Sequence, residues 1–475
     1  MFRKTIGSRT WLIAVVMFAT TFPVVTFAEG EGPIPQGSMT TTPPNIVLIL
    51  TDDQRADTLR FMPNVQRLLV RNGISFTNGY VVNPVCCPSR ASILTGDYSH
   101  TTMVYTNHPG RPFGGFPAFD DDSTIGTWLH NDGYHTGLFG KYLNGYGNQY
   151  VPPGWDRWFA TYGGGAYFDY AAVSDGVEEH YGSDAADYGT MVLQREAISF
   201  IRGTDPAQPL FMMWATHGPH RPATPQPRDR KAFSSLPRWR PRGYDERNVS
   251  DKPAFIRSHP AIDRATARDI DRFRIQQIRS LQAVDRAIAS IVGALDDADR
   301  LENTLIVFTS DNGMLWGEHR LDGKGMIYEE SVSVPFVVRY DAVIDRARKE
   351  DGLVLNIDVA PTFAEVAGVD APATEGRSIL KLLRPGAASR TWRHAFLIEH
   401  LGREGGRNAP TFCAAHTQRY VLARYSTGEE ELYDLARDPR QMKNVARATR
   451  YEEQRRALRA ALRRLCDPMP PGFSF

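Results

Sequence analysis

Cysteine is scarce in this chain, four in 475 residues. Two of the four, Cys86 and Cys87, are adjacent and cannot easily bridge to each other. Cys413 and Cys466 are then plausible disulfide partners, or else two unrelated buried thiols; residue order does not choose between these readings. An excess of charge of either sign is also lacking, with 55 Lys and Arg against 54 Asp and Glu and a net charge of +1. That balance removes the electrostatic case for a nucleic-acid or membrane-surface partner, so any charged ligand must be held by a local site. Internal repeats are absent, and no low-complexity run appears beyond one short linker. Long hydrophobic runs are missing too, with one exception at the N-terminus.

That exception extends from Trp11 to Ala28, after Phe2-Arg3-Lys4 and Arg9, and ends in Thr26-Phe27-Ala28 before Glu29. A basic opening, an apolar stretch and small closing residues form the pattern of a secretory signal peptide, expected over 1–28. A membrane anchor is the alternative, but the run is short for one and contains Pro23. Residues 29–44, rich in Gly, Pro, Ser and Thr, read as a flexible linker. The expected destination is secreted, periplasmic or extracellular, with no stable membrane association after cleavage. Such a compartment is oxidising and permits a disulfide.

What the chain has is an ordinary globular composition, 42% hydrophobic and 23% charged. Buried-strand patterns occur at 45–50, 134–139, 210–215, 305–308 and 335–338. Helical spacing occurs at 124–131, 186–201, 265–295 and 359–368. The alternation predicts an α/β fold: a large, mostly parallel mixed sheet sandwiched by helices over 45–376. Short strands at 420–425 and 431–435 and a helix at 450–466 predict a small α+β subdomain over 377–475. The Pro- and Arg-rich stretch 222–260 reads as an irregular insertion near the site, with a solvated surface loop as the alternative.

The strand patterns end in Thr51-Asp52-Asp53, Gly140-Lys141, Thr216-His217 and Ser310-Asp311-Asn312. Ligands of parallel sheets bind beyond the carboxyl ends of the strands. Asp52, Asp53, Asp311 and Asn312 offer oxygen ligands, which suit calcium or magnesium rather than zinc. A helix cap or solvated turn is the competing reading for the two adjacent aspartates. Arg90, Lys141, His217, His220 and Lys324 suit a tetrahedral anion. A single strand-end histidine is more often structural, but His217-Gly218-Pro219-His220 fixes two imidazoles near one another.

Cys86-Cys87-Pro88-Ser89-Arg90, continued by Ala91-Ser92-Ile93-Leu94-Thr95-Gly96, resembles the signature of the formylglycine-dependent sulfatases of the alkaline-phosphatase-like superfamily. The order of Asp52-Asp53, Cys86, Gly140-Lys141, His217 to His220, Asp311-Asn312-Gly313 and Lys324-Gly325 agrees with that resemblance, which covers nearly the whole chain after residue 44. It implies that Cys86 is oxidised to formylglycine by a formylglycine-generating enzyme, and that Cys87 fills the variable position. Pro88 is expected at the first position of the helix, which places the nucleophile at the positive helix end. The resemblance further implies one divalent cation, calcium or magnesium, on Asp52, Asp53, Asp311, Asn312 and the modified Cys86. Lys141, His217, His220 and Lys324 would hold the sulfate ester, and Arg90 would steady the nucleophile. His217 or Lys324 would protonate the departing alcohol.

Many sulfatases carry a histidine two residues after the strand-end lysine; here Leu143 stands there. His100, His220 and His319 are the candidate bases in its place. Gly140-Lys141-Tyr142-Leu143-Asn144 and the paired cysteines most resemble the branch of N-acetylglucosamine-6-sulfatases and heparan endosulfatases, which implies a sulfated sugar as substrate. Two other readings remain: a phosphomonoester or phosphonate monoester hydrolase with the same nucleophile, and an exported sugar-binding protein if Cys86 stays a thiol.

Overall fold

In β1 (Asn45–Thr51) every residue is buried. Ile46, Leu48 and Leu50 enter one apolar cluster, and Val47 and Ile49 enter another on the opposite face. A continuous apolar run therefore reads as a strand covered on both sides, because side chains alternate across the sheet. The computed structural model describes residues 43–162, 166–384, 392–402 and 409–475. The expected signal peptide 1–28 lies outside the described residues, as does the linker 29–44 except for Pro43 and Pro44.

Ten strands form the main sheet: β1, β2 (Ile74–Tyr80), β3 (His135–Lys141), β4 (Arg157–Tyr162), β5 (Tyr170–Ser174), β6 (Val177–Tyr181), β7 (Leu210–Ala215), β8 (Thr304–Ser310), β11 (Val337–Arg339) and β12 (Arg348–Leu355). The short strands β9 (Leu315–Trp316) and β10 (Asp322–Gly323) pair separately between β8 and β11 in the chain. The order across the sheet is β12-β2-β11-β8-β1-β7-β3-β4-β5-β6. Strands β8, β1, β7, β3 and β4 are mutually parallel, whereas β11 and β5 run against their neighbours. The mostly parallel mixed sheet expected from the sequence is the observed fold. The 335–338 pattern is an antiparallel strand between β2 and β8. The strand begun at 134–139 extends through Gly140 and Lys141.

One face of this sheet is covered by the helices Cys86–Thr95, Ile125–Asn131 and Val359–Ala367, whose Ile93, Leu94, Ile125, Leu129 and Phe363 join the cluster of Ile46 and Leu48. The other face is covered by Gly189–Gly203 and the 34-residue helix Arg264–Asp297, through Val192, Leu193, Leu281, Val284 and Ile288. Four antiparallel strands, β13 (Ala395–His400), β14 (Phe412–Thr417), β15 (Tyr420–Tyr425) and β16 (Glu430–Asp434), form a second sheet packed by the helix Glu452–Leu465. This small sheet shares a core with the large one: Tyr80, Val82 and Leu355 lie in one cluster with Phe396, Phe412 and Leu422. Cys413 on β14 and Cys466 after the last helix form a disulfide. Among the described residues no helix is long and apolar enough to cross a membrane.

Candidate active site

Parallel neighbours deliver their carboxyl ends to one edge. Thr51 pairs with Ser310, so Asp52-Asp53 and Asp311-Asn312 emerge side by side. Gly140 pairs with Ala215, so Lys141 and Thr216-His217 emerge next, and Thr161 of β4 lies opposite Lys141. Gly140 has φ +113°, and a Cβ there would lie 2.0 Å from the Ala215 carbonyl oxygen, so this position requires glycine. Asp53 adopts φ 64°, turning its backbone N–H onto Asp311 Oδ1 at 3.1 Å.

The helix Cys86–Thr95 ends on the same spot and is buried throughout. Cys86 is its first residue, and Pro88 is therefore at the third position rather than the expected first. The shift is tolerated because N–H groups of the first turn have no intrahelical acceptor. Cys87 N–H donates to Asn107 Oδ1 at 2.8 Å, which caps the turn carrying Cys86. Cys87 is buried in the apolar cluster that also holds Leu94 and Tyr142.

Around Cys86 the charges interlock. Its Sγ lies 3.3 Å from Asp52 Oδ1 and 2.6 Å from Lys324 Nζ. Lys324 also donates to Asp53, and Lys141 donates to Asp52 Oδ2 at 2.5 Å. Arg90, one turn along the helix, donates from Nε to Asp311 Oδ2 and from Nη1 to the Lys141 carbonyl, both at 2.7 Å. Burial pushes the Asp52 carboxyl up, but Lys141, His220, Arg90 and Lys324 together outweigh it and hold the group well below the usual carboxylate range. Burial and then the Asp52 charge push Asp311 up. Burial, reinforced by Asp52, pushes the Cys86 thiol up to about 12.

Asp52, Asp53, Asp311 and Cys86 bring ligand atoms within 4.8 Å of one another, an acidic cluster that could bind a metal ion. Asn312 donates from Nδ2 to Asp53 at 2.6 Å, while its Oδ1 is buried with no hydrogen-bond partner among the described residues. An orphaned carbonyl oxygen beside three carboxylates suits a hard cation, so the donor set fits calcium or magnesium.

The two histidines part company. His217 is buried and pairs through Nε2 with Thr161 Oγ1 at 3.1 Å; burial and Lys141 lower it to about 3. His220 lies with Nδ1 2.7 Å from the Arg221 carbonyl oxygen and Nε2 3.7 Å from Asp53. A carbonyl only accepts, so Nδ1 carries the proton and Nε2 faces the carboxylates. Of the three candidate bases, His220 is thus the one near the cluster. His100 is held between Glu399 and Glu375 at 3.2 and 3.0 Å. His319 bonds Glu246 at 2.7 Å and stacks on Tyr328. Leu143 is buried in the core.

A cleft of about 820 Å³ opens from Lys141, His217 and His220. Of the 222–260 stretch, read as an insertion near the site or a solvated loop, Pro222 lines the cleft; Phe273, Arg272 and Gln276 of the long helix line it beside Pro222. The rest of the stretch packs elsewhere, with Ala223, Lys252 and Ile256 buried and Trp239 donating to Glu318. Sequence reading also missed Asn107, Thr161 and Gln277. Gln277 Nε2 donates to the Asp53 and Pro219 carbonyls at 3.3 and 3.1 Å, joining the two loops that carry the cluster and the histidines. A readable signal existed for Gln277, an amide on the stripe of Ile270, Phe273, Ile278 and Leu281, all buried. None existed for Asn107 or Thr161, whose roles depend on tertiary placement.

A sulfatase family model matches residues 44–369, and a model of the C-terminal region of N-sulphoglucosamine sulphohydrolase matches residues 317–467. The chain is 36% identical over 370 residues to the extracellular sulfatase SULF-1 homolog of Drosophila melanogaster, an alignment covering 76% of this chain and 33% of that protein. Against the Homo sapiens N-acetylglucosamine-6-sulfatase it is 33% identical, over 77% of this chain and 68% of the relative. The chain thus spans about a third of the fly relative's length and about half of a Caenorhabditis elegans relative's. A solved structure of an enzyme in complex with its substrate D-glucosamine-2-N,6-O-disulfate superposes with a TM-score of 0.79 at 25% identity, covering 91% of this chain and 99% of that one.

Proposed function

The chain belongs to the sulfatase family, and from that premise we propose that it is an exported hydrolase of sulfate monoesters, acting on a sulfated sugar through a nucleophile made from Cys86. One observation carries the reading: Cys86 opens a buried helix directly against Asp52 and Lys324, where three parallel strands deliver Asp52, Asp53, Asp311, Asn312 and Lys141.

Formylglycine at Cys86, installed by a formylglycine-generating enzyme, supplies two hydroxyls on one carbon when hydrated, one to attack sulfur and one to expel sulfate. Asp52, Asp53, Asp311 and Asn312, with the modified Cys86, would hold one divalent cation, calcium or magnesium, which supplies Lewis-acid polarisation of a sulfuryl oxygen. The remaining work falls to the chain's own groups. Lys141 and Lys324 stand on either side of the Cys86–Asp52 contact as ammonium donors, poised to offset the charge of the ester. Arg90 anchors the nucleophile helix to Asp311. His217, fixed by Thr161, orients at the cleft floor, and Lys324, the donor nearest Sγ, is placed to protonate the leaving oxygen. His220 presents Nε2 toward the cluster and takes the role of base that Leu143 cannot fill. The catalytic region is assigned to 45–376 and the C-terminal subdomain to 377–475, with a signal peptide at 1–28.

The test pairs two measurements on protein co-expressed with a formylglycine-generating enzyme. The peptide spanning Cys86 is expected to lose about 18 Da. The ratio kcat/KM for p-nitrophenyl sulfate is expected to exceed that for p-nitrophenyl phosphate, because the phosphate monoester brings a second negative charge to a single-cation site. Faster phosphate hydrolysis would overturn the reaction class.

A further inference from the structure

We propose that Arg272, with Arg221 beside it, reads a second anionic group on the substrate, a sulfate or carboxylate borne by the same sugar or its neighbour. The inference rests on the sulfatase reading and deepens it, since it concerns the outer part of the same cleft.

The cleft runs from Lys141 and His220 at its floor to Arg221 and Arg272 at its mouth. Between these ends the wall is Pro222 and the buried ring of Phe273. A sugar seated there would lie against Pro222 and the Arg221 guanidinium that caps the Phe273 ring, with its reacting ester toward Cys86 and its far substituents toward Arg272. The two guanidinium groups differ in readiness. Arg221 is already oriented: its centre sits 3.8 Å over the Phe273 ring and its Nη2 lies 2.7 Å from Asp322. Arg272 is held weakly. Its contact with Asp269 is 3.6 Å long, and the two side chains are 70% and 69% exposed. An ion pair so exposed contributes little, so Arg272 can exchange its partner for a ligand anion at small cost. Arg221 offers further N–H donors on the same wall while Asp322 offsets its charge.

A single sulfate ester needs none of this. The anion chemistry at the floor is complete with Lys141, Lys324, Arg90 and the acidic cluster. At the mouth each guanidinium has a carboxylate partner, Asp322 for Arg221 and Asp269 for Arg272, and a ligand anion in place of Asp269 would keep Arg272 paired. A planar guanidinium takes sulfate or carboxylate through paired N–H donors, which a lysine cannot match.

The experiment compares a glucosamine bearing one 6-O-sulfate with a glucosamine bearing both 2-N- and 6-O-sulfate, on wild type, Arg272→Ala, Arg272→Glu and Arg272→Lys, with p-nitrophenyl sulfate as reference. Wild type is expected to prefer the disulfated sugar in kcat/KM, and raised salt is expected to erode that preference. Arg272→Ala should lower the preference about tenfold, mainly through KM, the scale of one charge-assisted contact. Arg272→Glu should lower it further, and Arg272→Lys should restore part of it. An unaltered preference in Arg272→Ala and Arg272→Glu overturns the inference while leaving the sulfatase reading intact. Absence of hydrolysis of every sulfate ester by formylglycine-containing wild type would instead strike the sulfatase reading, and this inference with it.

Discussion

Arg90 is the fully buried cation that ties the helix opened by Cys86 to the carboxylate cluster, and its removal should be felt first in stability. Arg90→Ala leaves Asp311 without the 2.7 Å donor at Nε and the Lys141 carbonyl without the donor at Nη1. Breaking a buried ion pair from one side costs about 3–5 kcal/mol, because the remaining charge keeps its desolvation cost and loses its compensation. The unit spanning 42–475 has an unfolding entropy of roughly 0.9 kcal/mol/K by size scaling. The melting temperature should therefore fall about 3–6 °C. Arg90→Lys keeps the charge but cannot reach both acceptors with one ammonium, and should lose about half as much. Calcium bound by the same carboxylates would supply positive charge there, so the Arg90→Ala deficit should shrink in millimolar calcium and be largest in EDTA. Differential scanning calorimetry of the three proteins in both conditions is the assay. An Arg90→Ala protein that melts within about 1 °C of wild type in EDTA would refute the burial argument. A deficit indifferent to calcium would remove Asp52, Asp53, Asp311 and Asn312 as the place where the cation acts.

Cys86→Ser should lower turnover by orders of magnitude, while Cys87→Ser, whose hydroxyl would inherit the Asn144 backbone donor in the core, should keep substantial activity; equal inactivation of both, with normal formylglycine in the Cys87 variant, would sink the assignment. Removing the Cys413–Cys466 bridge, which closes a sequence separation of 53, should cost about 4 kcal/mol by chain entropy; an unchanged melting temperature in the double alanine variant would reject that. His100 is raised from 6.5 to about 10, with burial opposing and Glu375 and Glu399 prevailing. Its folded form therefore keeps a proton that the unfolded chain gives up, and the stability it contributes is full below pH 6.5 and lost as pH rises toward about 10. His100→Gln should flatten the alkaline fall in melting temperature over that window; an unchanged slope would show that another group governs it.

Reading the sequence found strands that are buried on both faces, because such strands are continuous apolar runs: 45–50, 210–215 and 305–308 each lie within observed strands. It missed β2, β5, β6 and β12, whose burial is interrupted by exposed or half-buried positions, and also β4, β13 and β14, which are buried but short and carry polar residues within them. The stretch 222–260 shows a related limit: its composition fits both an insertion near the site and a surface loop, because composition carries no direction, and Phe273 and Arg272 on the long helix line the cleft beside Pro222.

The sequence by itself determined the chemistry on offer. Cysteine two residues before Pro88 and four before Arg90, four oxygen-bearing side chains after strand-forming runs, and lysines at 141 and 324 are covalent facts that no folding step alters. What tertiary structure decided is which of these groups meet. Asp52 and Asp311 stand 259 residues apart in the chain and become neighbours only because β1 and β8 pair in parallel register. The same placement gave His220 rather than His100 or His319 to the cluster, started the helix at Cys86 rather than Pro88, and put Thr161 against His217. Local propensity and spacing act over a few residues, whereas these contacts are set by sheet order and helix packing, which depend on how the whole core closes.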